Sequence, residues 1–324
     1  MSKFIYSFAI VSMGLLLGYV VQILVRRRRI ELGIAIGDLR IMLQKTALLF
    51  INPVAIVGAV WIVNLKNAAL IALPFIGLFT YLIGGALAVG ASRLLNLDGN
   101  KAGALFGCGF FTNIGAIGTL ICYIFLGEAG FALVAIFKLF QEVAYYGIGF
   151  PIAKYFGSSR HDVPARGLLK HLLRDPYLIM AVSAITIGGF LNISDVQRPE
   201  FYKTIISVFV PLLTLLLLIS IGMAMRFRKI GAYLRECLSI SLIKFILVPV
   251  LVFLPAYFLG YGNIQDGLPL KVVLILSSMP VAFNALIPPS IYNLDLDLAN
   301  SCWFFTTAML VVVLPVMMMI ISLI

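Results

Sequence analysis

Apolar runs of 17 or more residues recur from one end of this chain to the other, separated by short stretches of charge or of Gly, Asn and Asp. A helix needs about 20 residues, at roughly 1.5 Å each, to cross the ~30 Å hydrocarbon core of a bilayer. The 324 residues are 62% hydrophobic and 11% charged, too few charges to coat a water-facing globule, which carries about 25%. The expected fold class is an all-α polytopic membrane protein with no sizeable extramembrane domain. Ten transmembrane helices are predicted, at approximately 4–25, 40–63, 68–92, 102–126, 129–153, 176–192, 203–225, 237–259, 270–290 and 298–322. Span 6 is the shortest, and spans 4 and 9 are interrupted by polar, Gly and Pro residues.

The net charge of +11 does not point to nucleic acid, because no basic stripe is interleaved with aromatics on one polar surface. The basic residues instead alternate with the spans. The connections after spans 1, 3, 5 and 7 hold 17 Lys and Arg, among them Arg26 to Arg29, and the opposite side holds five: Lys3, Lys66, Arg198, Lys203 and Lys271. By the excess of Lys and Arg in cytoplasmic loops, both termini are expected on the non-cytoplasmic side of a plasma membrane. Phe4 to Val25 is too long for a signal-peptide core and lacks a small-residue cleavage site, so it reads as a retained first span. Cys108, Cys122, Cys237 and Cys302 lack CxxC spacing and read as buried thiols, neither a disulfide framework nor a zinc site. His161 and His171 lie in the longest connection and read as loop residues. No metal or other cofactor is expected.

Landmarks in the first half return in the second. Asn52-Pro53 in span 2 answers Val210-Pro211 in span 7, Pro74 in span 3 answers Pro249 in span 8, and Asn113 in span 4 answers Asn284 in span 9. Five spans per copy force the second copy to start on the other side of the membrane. The organisation expected is therefore two inverted five-helix repeats, 1–156 and 176–324, joined by a cytoplasmic linker at 157–175.

Chemistry concentrates in spans 4 and 9. Span 4 carries four glycines and Asn113 within Gly107–Gly118, where a lipid-facing helix would carry Leu and Val. Span 9 reads Ser277 to Pro289, with Pro280, Asn284 and the pair Pro288-Pro289. Proline lacks the amide hydrogen a helix interior needs and clashes with the preceding turn. Breaks are expected in both. Unpaired main-chain groups are tolerated in mid-membrane only where protein, water or ligand satisfies them, so two matching breaks point to a midplane site whose half-helix N-termini attract an anion. Asn113 and Asn284 can donate and accept there, while Gly115, Gly118, Pro280 and Pro288 shape the crossing. The alternative is that the glycines are packing contacts and the asparagines interhelical hydrogen bonds. In span 5, Lys138 and Glu142 are either a self-neutralising i, i+4 pair or groups facing a polar cavity, with Glu142 able to carry a coupled proton. Lys244 in span 8 either snorkels or balances an anionic substrate. Trp61 fits an interfacial belt, and Trp303 reads as packing.

Ser278-Met279-Pro280-Val281-Ala282-Phe283-Asn284-Ala285-Leu286 followed by Tyr292-Asn293-Leu294-Asp295 resembles the ninth-span signature of the auxin efflux carrier family of permeases. Similar stretches are Pro211 through Ile221-Gly222-Met223-Ala224-Met225, Lys244 to Pro249, and Asn113 with Gly115 and Gly118 before Gly127-Glu128-Ala129-Gly130. The resemblance covers nearly the whole chain in order. It implies the bile acid/sodium symporter superfamily fold, with spans 1, 2, 6 and 7 as scaffold and spans 3 to 5 and 8 to 10 as a mobile core, moved elevator-fashion, in which broken spans 4 and 9 cross at the substrate. Two departures stand out. Phe110-Phe111-Thr112 replaces a smaller stretch and no proline follows Asn113, so span 4 is expected to break less sharply; and Lys138 with Glu142 is unusual in span 5.

The function expected is a secondary transporter of a small organic anion such as a carboxylate, by alternating access and in the direction of efflux or exchange. Lys138, Glu142 and Lys244 would handle charge or coupling to a proton or sodium ion. A sodium-coupled symporter of the same fold and an ion or solute channel are the alternatives; a channel would need a charged ring or continuous polar lining. An enzyme is not expected, since no nucleophile–base pair or phosphate loop appears. The partners are the lipid bilayer and the anion, with a homodimer as the assembly to test.

Overall fold

The computed structural model describes residues 2–27, 33–63, 67–157, 174–194, 196–225 and 230–324. Most of the expected linker, with His161 and His171, lies outside the described residues. The chain is an all-α polytopic membrane protein; among the described residues no strand occurs, only one isolated bridge. The helices are α1 (Ser2–Arg26), α2 (Ile36–Val60), α3 (Ala68–Leu94), α4 (Gly99–Phe110), α5 (Ile114–Phe156), α6 (Pro176–Ile193), α7 (Phe201–Gly222), α8 (Gly231–Phe258), α9 (Leu268–Ser277), α10 (Ile287–Tyr292) and α11 (Leu296–Leu323). Large apolar side chains remain exposed on their outer faces, Phe50, Phe79, Val250, Val312 and Met319 among them, as a hydrocarbon solvent requires.

Eight helices among the described residues are long and apolar enough to cross a membrane, against ten expected spans. The difference has a local cause. Expected span 4 is split into α4 and the start of α5, and expected span 9 into α9 and α10. The run α5 covers the rest of span 4 and all of span 5; it is kinked at Gly127, whose φ of 73° lies in the left-handed region open to glycine, at the expected boundary between those spans. A further interruption was not foreseen: Lys138 to Phe140 form a turn between helical segments.

Prolines shape the remaining helices in a recurrent way. Wide π-helical turns occupy Thr46–Ile51, Tyr145–Gly149 and Ile243–Leu247, each ending two residues before a proline: Pro53, Pro151 and Pro249. A proline cannot donate to the helix, and its ring crowds the carbonyl four residues back. Opening the preceding turn to bonds five residues long, as from Phe150 N–H to Tyr145 O and Val248 N–H to Ile243 O, relieves that conflict without breaking the helix. Two of these turns carry Tyr145 and Lys244.

Two compact units are assembled from alternating stretches of the chain: Met1–Leu65, Gly115–Ala135 and Pro176–Arg226 in the first, and Lys66–Ile114, Ile136–Asp175 and Phe227–Ile324 in the second. In the first, α1 packs on α7 where Gly18 and Gly222 let the two backbones touch, the small-residue contact by which membrane helices associate. Ala47, Ile51, Ala116, Leu213 and Leu217 form a buried cluster. Asn192 donates to the carbonyls of Val60, Trp61 and Val63 at 3.1, 2.7 and 2.9 Å, closing the end of α2, and the Trp61 indole donates to Val196 O at 2.7 Å.

Arg198 ties the same end of this unit together, pairing with Glu128 and donating to Gly58 O at 2.9 Å. Both side chains are largely buried, 11% and 15% exposed. Arg198→Ala strands the Glu128 carboxylate there and is expected to cost about 2 kcal/mol, below the 3–5 of a fully buried pair. Thermal melting in detergent reads this; adding Glu128→Gln should restore part of the loss, and additive losses in the double variant would show that the two do not act as a pair.

Candidate functional site

The site lies in the second unit. Helix α4 starts at an Asp98 cap, whose carboxylate accepts from Lys101 N–H at 2.9 Å, and its 12 residues reach about 18 Å, little more than half the hydrocarbon core. Helix α9 follows Gly267 at φ 75°, and its 10 residues reach about 15 Å. Each then stops in mid-span. Residues 111–113 and 278–282 are non-helical, and Thr112 and Val281 pair as an antiparallel bridge. Asn113 N–H donates to Pro280 O at 2.9 Å and Ala282 N–H to Phe111 O at 3.0 Å.

The break in span 4 is therefore as definite as the one in span 9, contrary to the expectation drawn from its missing proline. Its ends are held by the other break. Pro288 and Pro289 play a different part from the one expected. They occupy the first turn of α10, where a missing amide hydrogen costs nothing, and the interruption precedes them at Ser278 to Ala282.

Buried main-chain groups must find partners, and here side chains from three helices supply them. The Tyr145 hydroxyl accepts from Thr112 N–H at 3.3 Å and donates to Thr112 O at 3.1 Å. Thr306 on α11 accepts from Val281 N–H at 3.2 Å. The Lys244 ammonium donates to Gly109 O at 2.6 Å, to Thr112 Oγ1 at 2.6 Å and to Phe111 O at 3.4 Å. Lys244 is 1% exposed, so it does not snorkel. It sits where the last carbonyls of α4 lack helical partners and the helix dipole is negative. The Phe111 ring packs edge-on against Tyr145, 4.7 Å between centroids, and Phe110 against Phe111 at 5.4 Å.

The expected residues divide into groups. Asn113 and Pro280 are brought into direct contact. Asn284, half-buried, follows two residues after Ala282 in a short 3-10 turn and makes no side-chain hydrogen bond among the described residues. Gly115 and Gly118 fall in a π-helical segment of the first unit. Lys138 and Glu142 form no ion pair, because the turn at 138–140 replaces the regular helix that an i, i+4 pair requires. Glu142 instead accepts from Gln141 Nε2 at 3.2 Å, and Gln141 Oε1 accepts from the Tyr81 hydroxyl at 3.3 Å. Tyr81 in turn packs edge-on against Tyr145 at 5.4 Å. Trp303 packs edge-on against Phe283, and its buried indole N–H finds no partner among the described residues. All four cysteines are buried free thiols.

The sequence reading missed Thr112, Tyr145 and Thr306. Tyr145 left a signal: a tyrosine deep in an apolar span needs a hydrogen-bond partner. Thr306 left none, since threonines commonly bond back to their own helix, as it also does to Cys302 O at 2.8 Å.

No family model matches the chain. It is similar to an uncharacterized transporter of Methanocaldococcus jannaschii, 25% identical over 233 residues, covering 72% of this chain and 70% of that protein. A second uncharacterized transporter, from Methanothermobacter thermautotrophicus, is 22% identical over 246 residues, 76% of this chain and 77% of that one. The relatives support a membrane transporter. A third, from Rhizobium meliloti and named "Putative malonate transporter", is 22% identical over 201 residues, 61% of each chain. Names of this kind weigh toward transport and away from catalysis; together with the apolar helices they support a multi-pass membrane protein.

Proposed function

We propose that this chain is a secondary transporter that moves a small organic anion, a carboxylate of the malonate type, across the plasma membrane by alternating access. The observation that carries the reading is the antiparallel pairing of two mid-span breaks, Thr112 against Val281. Main chain that leaves its helix at membrane depth, beside a buried ammonium, is the equipment with which a bundle holds a charged solute. Asn113 and Asn284 flank the pairing and hydrogen-bond the carboxylate. Pro280 and the first turn of α10 at Pro288 set the direction in which that segment leaves the crossing, and Gly115 and Gly118 do the same after Asn113. Glu142, through Gln141 and Tyr81, and Lys138 tune the charge of the pathway. The two inverted repeats expected from the sequence, and the resemblance to auxin efflux carrier permeases, are consistent with this reading. The relative named for malonate suggests the first cargo to try.

The test is counterflow of labelled malonate and other small carboxylates in proteoliposomes. Asn113→Ala and Asn284→Ala are expected to lower flux at least about tenfold, the loss of one or two charge-assisted hydrogen bonds, with membrane insertion and melting temperature unchanged. Wild-type flux in both variants would remove these residues from the site.

A further inference from the structure

The environment of Lys244 goes beyond charge balance. Its ammonium has three donors and meets three neutral oxygens, Gly109 O, Phe111 O and Thr112 Oγ1, at 2.6, 3.4 and 2.6 Å. Among the described residues no carboxylate is a hydrogen-bond or ion-pair partner of Lys244. A side-chain amide has only two N–H donors and would leave one of the three oxygens unmet, whereas an ammonium supplies three. Two main-chain carbonyls at the end of a half-helix and a hydroxyl are also the ligands that a hard monovalent metal ion takes at a broken membrane helix. The carbonyl of Gly109 is fixed in place, because Gly84 and Gly109 bring the backbones of α3 and α4 into contact.

We propose that these three oxygens are a monovalent-cation site and that Lys244 fills it, a tethered ammonium standing where a sodium ion would otherwise bind. No sodium need then bind there for the crossing to assemble. This deepens the proposed function, yet it is testable without transport.

The experiment melts purified protein in detergent with sodium, methylammonium or choline chloride at equal ionic strength. Wild type is expected to melt alike in all three. Lys244→Ala opens the site; it should melt lower in choline and recover roughly 5 °C with sodium or methylammonium, the stabilisation that binding to the folded state confers. Lys244→Met, which fills the space without charge, should melt lower and respond to neither. Selective stabilisation of wild type by sodium, absence of any cation response in Lys244→Ala, or wild-type melting of Lys244→Met would each overturn the proposal. If Lys244→Ala does not fold, the wild-type and Lys244→Met arms still decide it. Malonate counterflow in the same salts supplies the second readout: equal wild-type flux in sodium and choline supports the proposal, and sodium-dependent flux overturns it. Failure of malonate to move in any salt counts against the cargo reading alone, because the melting arms do not depend on it.

Discussion

Gly84→Val should strongly destabilise the folded state of the second unit. A methyl carbon at Gly84 would collide with the carbonyl oxygen of Gly109, and one at Gly109 with the carbonyl of Gly84 and the methyl of Ala88. The obstruction is backbone, so no side-chain rotation relieves it. Helices α3 and α4 must separate, and the oxygen that receives Lys244 moves away from its donor. Overpacking of this kind costs about 3 kcal/mol, the upper end of the usual range, or a melting temperature lower by roughly 5 °C for a chain of this length. Gly90→Val on the same helix is the control: nothing lies within 4 Å of the added carbon, and a change near zero is expected. Equal effects of the two substitutions would contradict the packing described for this contact.

Tyr145→Phe should also be damaging. It removes one oxygen and leaves ring packing intact, but that oxygen satisfies both the N–H and, in part, the C=O of Thr112. The carbonyl keeps a donor in Ile114 N–H at 2.8 Å, whereas the Thr112 amide has no second acceptor among the described residues. Leaving it bare in a buried site costs about 1–3 kcal/mol. Flux should fall more than stability, because the lost bond positions the residue paired with Val281. Hydrogen exchange localised to residues 110–114 would report the loosening directly; unchanged exchange there would show that Tyr145 does not hold the break.

The spans were legible because a bilayer selects on length and transfer free energy, both of which a sequence displays. The predicted run at 176–192 and the observed helix Pro176–Ile193, or 298–322 and Leu296–Leu323, differ by a few residues. The existence of the two breaks was legible for a related reason, since glycine, asparagine and proline clusters are conspicuous against Leu and Val. What hydropathy does not encode is which main-chain group meets which. Nothing near residue 112 announces its pairing with residue 281, 169 positions away in the chain. Lys244 was visible as a charge in an apolar run but not as the cap of α4, and the turn at Lys138 to Phe140 contains neither glycine nor proline to betray it. The π-turns form an intermediate case. Their prolines are plain in the sequence, yet only coordinates reveal that the helix widens before them and so aims Tyr145 and Lys244 at one place.

The junction of the two interrupted helices is joined amide to carbonyl, Asn113 to Pro280 and Ala282 to Phe111, with side chains as accessories. Such a joint does not depend on the identity of the side chains that surround it. Side chains around it can therefore be exchanged without removing the bonds that hold the two breaks together.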